Sequence, residues 1–236
     1  MNEEMKVVVN PTGDDVLIKT MILKEYVAPG FNYTLNSIQS VIDLVNARGT
    51  DKFSFLFYTD KQIQIKLNDI IDERQQDTAR YSFDSSDLLK EWKTVIGNTI
   101  DQKKFIEFLK RRDNELPEVE ALISSLQTLK LASEIRFDGD YDDRNNYNFA
   151  IKVKDFEGNT KLPNMLTIHI PLINESDFVQ DIEVELEVIK PTGEGQKPLF
   201  VMTCPKFDRY WKQAVKHEIE VLKEALPNYY ILAGTM

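Results

Sequence analysis

Apolar residues recur along this chain with two spacings, every second position in some segments and every third or fourth in others. The changes of spacing predict its elements. Residues 5–9 (MKVVV) and 16–26 (VLIKTMILKEY) predict strands either side of the turn Asn10-Pro11-Thr12-Gly13, and a Pro29-Gly30 turn follows. Thr34 is then placed to cap a helix whose Ile38, Val41, Ile42 and Val45 form one stripe, with Gly49 as its stop. Three strands are expected next, over 53–58, 62–67 and 78–83. In the middle one Ile63, Ile65 and Leu67 point one way and Gln62, Gln64 and Lys66 the other. Asp84-Ser85-Ser86-Asp87 starts a further helix, with Leu88, Leu89, Trp92, Val95 and Ile96 as its apolar stripe ending near Gly97.

Residues 101–131 predict a helical hairpin, interrupted at Leu116-Pro117 because proline disfavours helix in the residue before it and suits a first turn. From 133 to 203 the period becomes two, through Ile135/Phe137, Phe149/Ile151/Val153, Leu166/Ile168/Ile170, Ile182/Val184/Leu186/Val188 and Leu199 to Met202. Turn chemistry intervenes at Glu157-Gly158-Asn159 and Pro191-Thr192-Gly193-Glu194-Gly195. This reads as an antiparallel meander with one wet face. A last helix from Lys206 to about Leu226 carries Phe207, Trp211, Val215, Ile219, Leu222 and Leu226 toward the sheet, and Tyr229 to Leu232 is a final strand. The expected fold is α+β, as one domain over 1–236. Its sub-regions are a small α/β unit (1–97), a helical hairpin (98–131), and an antiparallel sheet with its covering helix (132–236).

Composition narrows the class. With 236 residues, 42% hydrophobic, the chain has ample material for a core, which excludes disordered and fibrous classes. Cys204 is the single cysteine, so a reducing compartment is expected. The acidic N-terminus lacks a signal peptide's basic region, and no apolar run reaches membrane-spanning length. The net charge of −10 disfavours wholesale coating of nucleic acid.

Candidate chemistry is sparse. The chain has no phosphate-binding glycine loop, no nucleophile elbow, no H-E-x-x-H and no C-x-x-C, so no catalytic residue, metal or cofactor is expected. His169 and His217 read as solvated, and Cys204, lacking an activating base, as a small buried hydrophobe. Asp138-Gly139-Asp140-Tyr141-Asp142-Asp143 opens like a calcium loop. It has Asp143 where that loop needs glycine and Phe149 where it needs glutamate, so loop acidity is the expectation. Asp181, Glu183, Glu185 and Glu187 line one strand face and are expected to meet Lys152 and Lys154 across strands. The remaining concentration is Lys206, Arg209, Tyr210, Lys212 and Lys216 at the start of the last helix. Cations beside an aromatic ring suit phosphate and a stacked base.

Several segments in their order carry a resemblance: TLNSIQSVIDLVN (34–46), the strand pair at 53–67, LLKEWK (88–93), FIEFLKRRDNELPEV (105–119), LPNMLTIHIP (162–171) and LPNYYILAG (226–234). From about residue 30 to the end the chain resembles the YfdQ-like family of phage and prophage-encoded proteins. The resemblance implies a protein of the host cell cytoplasm made during infection, and no catalytic motif to carry over. Non-structural phage proteins of this kind act in DNA replication and recombination or against host defence. The expected function is therefore a non-enzymatic, homo-oligomeric binding protein that sequesters a nucleotide-type immune signal at Lys206, Arg209, Tyr210, Lys212 and Lys216. The alternative is a replication or recombination accessory that binds single-stranded DNA or a protein partner through the same helix. A hydrolase with Asp138, Asp140 and Asp142 as metal ligands is a third possibility.

Overall fold

A computed structural model of the chain describes residues 30–69, 77–132, 137–141, 146–153, 156–189 and 198–236. The strands expected at 5–9 and 16–26, the turns at 10–13 and 191–195, and Ile135, Asp142, Asp143 and Lys154 lie outside the described residues.

The alternation in Gln62–Leu67 builds the centre of the first sheet. That strand, β3, pairs antiparallel with β2 (Phe55–Tyr58) and β4 (Asp77–Ser82), and Ile63, Ile65 and Leu67 are buried together with Leu56, Ala79 and Tyr81. β1 (Asn32–Leu35) adds parallel to β4, and β12 (Tyr230–Ala233) adds parallel to β2. The order is β1-β4-β3-β2-β12. Thr34 therefore lies in a strand, opposite Arg80. The cap of α1 (Ile38–Arg48) is Ser37, whose hydroxyl accepts from the Ser40 N–H at 3.1 Å. The edge of β4 takes residues 32–35 first, and the helix starts at the next capping residue. Ile38, Val41 and Val45 bury the α1 stripe. Gly49 ends α1 by donating to the Val45 carbonyl at 2.7 Å. A Cβ there would stand 2.5 Å from that oxygen and 2.9 Å from Tyr229 Cε1, so only glycine fits.

Ser86 caps α2 (Asp87–Trp92), accepting from the Leu89 N–H at 3.1 Å and donating to the Pro171 carbonyl at 2.5 Å. β5 (Thr99–Asp101), α3 (Gln102–Leu109) and α4 (Val119–Ala132) follow, with the break at Leu116-Pro117 where proline predicts it. Between α3 and α4 the buried Arg112 pairs with Glu115 at 3.3 Å and with Glu91, while the Trp92 indole donates to Glu115 Oε2 at 2.6 Å. The Gln102 amide donates to the Leu126 carbonyl and ties α3 to α4.

The expected single meander is two sheets. β6 (Phe137–Tyr141), β7 (Asn146–Val153) and β8 (Phe156–Pro163) form one, in that order. β9 (Met165–Pro171), β10 (Val179–Ile189) and β11 (Leu199–Thr203) form the other, with β5 at its far edge in the order β5-β11-β10-β9. Val153 pairs with Phe156, so the chain reverses before Glu157, and Glu157-Gly158-Asn159 lies within β8 rather than forming a turn. Asp138 to Tyr141 likewise belong to the β6 ladder, not a loop.

α5 (Phe207–Ala225) spans between the two larger sheets. It buries Ala214, Val215, Ile219 and Leu222, packs on α1 and β10, and donates the Trp211 indole N–H to the Asp60 carbonyl at 2.9 Å. Among the described residues the buried side chains form one cluster from Ile38 to Leu226 that includes Trp92, with Trp211 packed against it. The fold is α+β. The sub-region boundaries are crossed by β-pairing, since β12 completes the first sheet, β5 the second, and Ser85 and Ile96 bridge to Ile173 and Met202. No helix of the described residues is long and apolar enough to cross a membrane.

Arg112→Ala would leave the buried Glu115 carboxylate without its cation. It is expected to lower unfolding stability by about 3–5 kcal/mol, read from the urea denaturation midpoint.

Candidate functional site

The junction of β11 and α5 is set by a proline. Glu185 pairs with Thr203, so continuing the β10–β11 register would bring Pro205 opposite Glu183, and proline has no N–H to donate. Side chains replace the lost partners. The Glu183 N–H donates to the Tyr210 hydroxyl at 3.3 Å, the Glu183 carbonyl accepts from the Cys204 thiol at 3.5 Å, and the Glu183 carboxylate receives Lys206 Nζ at 2.6 Å. The Lys206 hydrogen bond and charge hold the Glu183 carboxyl below its usual range and raise the Lys206 ammonium above its own. Lys206 and Tyr210 thus dock the first turn of α5 onto a strand edge.

Beyond that dock, α5 and the start of β10 enclose a groove of about 480 Å³. Tyr210, Gln213, Lys216, His217 and Glu220 line one side and Phe178 to Asp181 the other. The helical residues follow the i, i+3, i+7 spacing of one face. The Phe178 and His217 rings stack with centroids 4.3 Å apart at 12°. Gln180 is 7% exposed, and its amide nitrogen has no hydrogen-bond partner among the described residues. A buried donor left unpaired costs about 1–3 kcal/mol. Lys216 also reaches Glu220 at 3.6 Å.

The five cationic and aromatic residues expected at one site are therefore divided. Tyr210 and Lys216 share the groove, while Lys206 is engaged by Glu183. Arg209 is exposed one turn before Gln213, with its charge felt at both Glu183 and Lys206. Lys212 lines a second groove across α5, formed with Tyr58, Thr59, Asp60 and Lys223, and Lys216 and Glu220 line that groove as well as the first. Sequence reasoning missed Phe178, Gln180, Gln213 and His217. Gln180 carried a legible signal, a glutamine in the buried register of Ile182, Val184 and Leu186. His217 is half-buried against Phe178 rather than solvated.

The other candidates resolve into structural roles. His169 is on the wet face, as its alternation predicts, and its Nδ1 lies 2.7 Å from Asp181 Oδ1 across the β9–β10 pair. The carboxylate row is not cross-strand from Lys152, because β10 pairs with β9 and β11 while β7 belongs to another sheet. Its partners are His169 and Lys206. Cys204 is half-buried, and burial first of all pushes its thiol pKa up. Among the described residues no group of three or more His, Cys, Asp or Glu is placed to hold a metal ion. Comparison of the chain with protein families, curated proteins and solved structures finds no match.

A raised thiol pKa means less thiolate at neutral pH. Alkylation of Cys204 by iodoacetamide is expected to be slower than that of a free cysteine at pH 7, and to keep rising at alkaline pH where the free cysteine has levelled off.

Proposed function

We propose that this chain is a non-enzymatic binding protein that takes a nucleotide-type ligand in the groove between α5 and β10. The observation that carries the reading is the Gln180 amide, a buried donor without an acceptor in the wall of an open groove. A base or phosphate oxygen is the acceptor that would satisfy it. The stacked Phe178 and His217 rings and Tyr210 offer flat surfaces to a heterocycle. Lys216 in the groove and Arg209 beside it supply positive charge to phosphate, and Asp181 and Glu220 can accept from ribose hydroxyls or exocyclic amines. Binding of this kind needs no catalytic group. The resemblance to phage-encoded proteins supplies the setting, in which the protein sequesters a nucleotide signal of host immunity in the cytoplasm.

Isothermal titration of ligand-free protein against cyclic dinucleotides and ADP-ribose derivatives tests the proposal. Binding of at least one is expected. Gln180→Leu and Lys216→Glu should each weaken it by about tenfold or more, and Lys212→Glu, across the helix, should leave it nearly unchanged. Absence of heat with every member of the panel would sink the reading.

A further inference from the structure

The outer face of the first sheet is built differently from the rest of this acidic surface. Leu56, Ile65 and Ala79 are 0–1% exposed on the inner face, so their neighbours in sequence point outward. On that outer face Tyr230 lies opposite Phe55, and Leu232 opposite Phe57. The Phe55 and Tyr230 rings stack with centroids 5.5 Å apart at 16°, and Phe55 and Phe57 stack at 6.5 Å and 27°. Tyr230 is 54% exposed and Leu232 42%. Continuing across the sheet, the row of Phe55 runs through Lys66 and Thr78 to Asn32, and the row of Phe57 through Gln64 and Arg80 to Thr34. Neither row contains a carboxylate, in a chain of net charge −10. Lys66 reaches Asp69 at the rim at 2.9 Å, whereas Arg80 is exposed and forms no ion pair among the described residues. An apolar groove of about 560 Å³ runs beside the rings, flanked by Leu232 and Met236.

We infer that this face binds single-stranded DNA. The near-parallel rings of exposed Tyr230 and half-buried Phe55 and Phe57, on two adjacent strands, are a stacking platform for unpaired bases, and cations one and two strands away, at roughly 5 and 10 Å, lie within reach of the phosphates. Thr78, Thr34 and Asn32 in the same rows can donate to and accept from base edges, and Gln64, whose Oε1 accepts the Met236 N–H at 3.0 Å, can donate its amide. Leu232 and Met236 form an apolar wall beside the rings that suits the face of a deoxyribose, and Lys66, Asp69 and Thr78 are the polar lining of the same groove. The two halves of the face, one aromatic and one cationic, suit a strand of alternating bases and phosphates better than a second copy of an acidic protein.

Fluorescence anisotropy of a labelled oligo(dT) with the full chain at low salt tests this. Binding is expected, with Tyr230→Ala and Phe57→Ser each weakening it by about tenfold, and with Arg80→Gln lowering the slope of log affinity against log salt by about 0.7. Tyr230 and Arg80 are exposed, so circular dichroism should show those variants folded even if Phe57→Ser is not. The inference is overturned if oligo(dT) does not bind, if Tyr230→Ala and Arg80→Gln bind as the parent does, or if oligo(U) or duplex binds as tightly. It is equally overturned if sedimentation shows a dimer that Tyr230→Ala dissolves while oligo(dT) does not bind, since the face would then join two copies. Nucleotides in the α5 groove are read by calorimetry and DNA on this face by anisotropy, so either reading can fail without the other.

Discussion

Pro205 decides how the second half of this protein is assembled. A strand loses its partner where the neighbouring chain has no N–H, and the exposed backbone groups of Glu183 must then be satisfied by something else. Tyr210 and Cys204 meet that need, Lys206 adds an ion pair to the Glu183 carboxylate, and all three belong to the start of α5 or the residues just before it. The helix is thereby aimed across the molecule, where Trp211 reaches the turn between β2 and β3 and Val215, Ile219 and Leu222 enter the core. The chain that leaves it returns to the first sheet. There Tyr229 donates its hydroxyl to the Val45 and Gly49 carbonyls, at 3.3 Å from each, before β12 adds to β2. Both grooves along α5 are consequences of that trajectory.

Buried polar groups secure the remaining contacts. Arg112, Glu115 and Trp92 form a network in which Phe108 packs against the guanidinium at 4.8 Å, and the Glu115 carbonyl accepts the His169 N–H at 2.8 Å on the edge strand β9. The segment between α3 and α4 thus blunts an edge that would otherwise offer unpaired backbone groups to another chain. Glu218, buried in α5, accepts from Ser176. Its charge, with those of Asp84 and Glu175, adds to burial in raising the pKa of the enclosed Tyr81 hydroxyl. Among the described residues three buried side-chain atoms lack a partner, Asn68 Oδ1, Arg112 Nε and Gln180 Nε2, and of these Gln180 belongs to a residue lining the groove between α5 and β10.

The negative charge is distributed with the same economy. On β10 the Glu183 carboxylate pairs with Lys206 and the Asp181 carboxylate with His169, so the acidic row and the basic start of α5 meet at one ion pair. The outer face of the first sheet is left without carboxylates in its two central rows.

What the sequence determined by itself is the local structure. The alternation of Ile63, Ile65 and Leu67, the Ile38-Val41-Val45 stripe, the stop at Gly49, the break at Pro117 and the amphipathic last helix are all read from spacing, because period and backbone chemistry act within a few residues. The cap at Ser37 and the strand over Glu157-Gly158-Asn159 were not legible, since pairing with β4 and β7 overrode turn and capping propensity. Tertiary structure alone decided that β5 and β12 cross between regions, that the meander is two sheets, and that Tyr210 and Lys216 face Gln180 while Lys206 and Lys212 do not. Those outcomes depend on which strand edges remain unpaired once the others are formed, a property of the assembled sheets that no window along the chain contains.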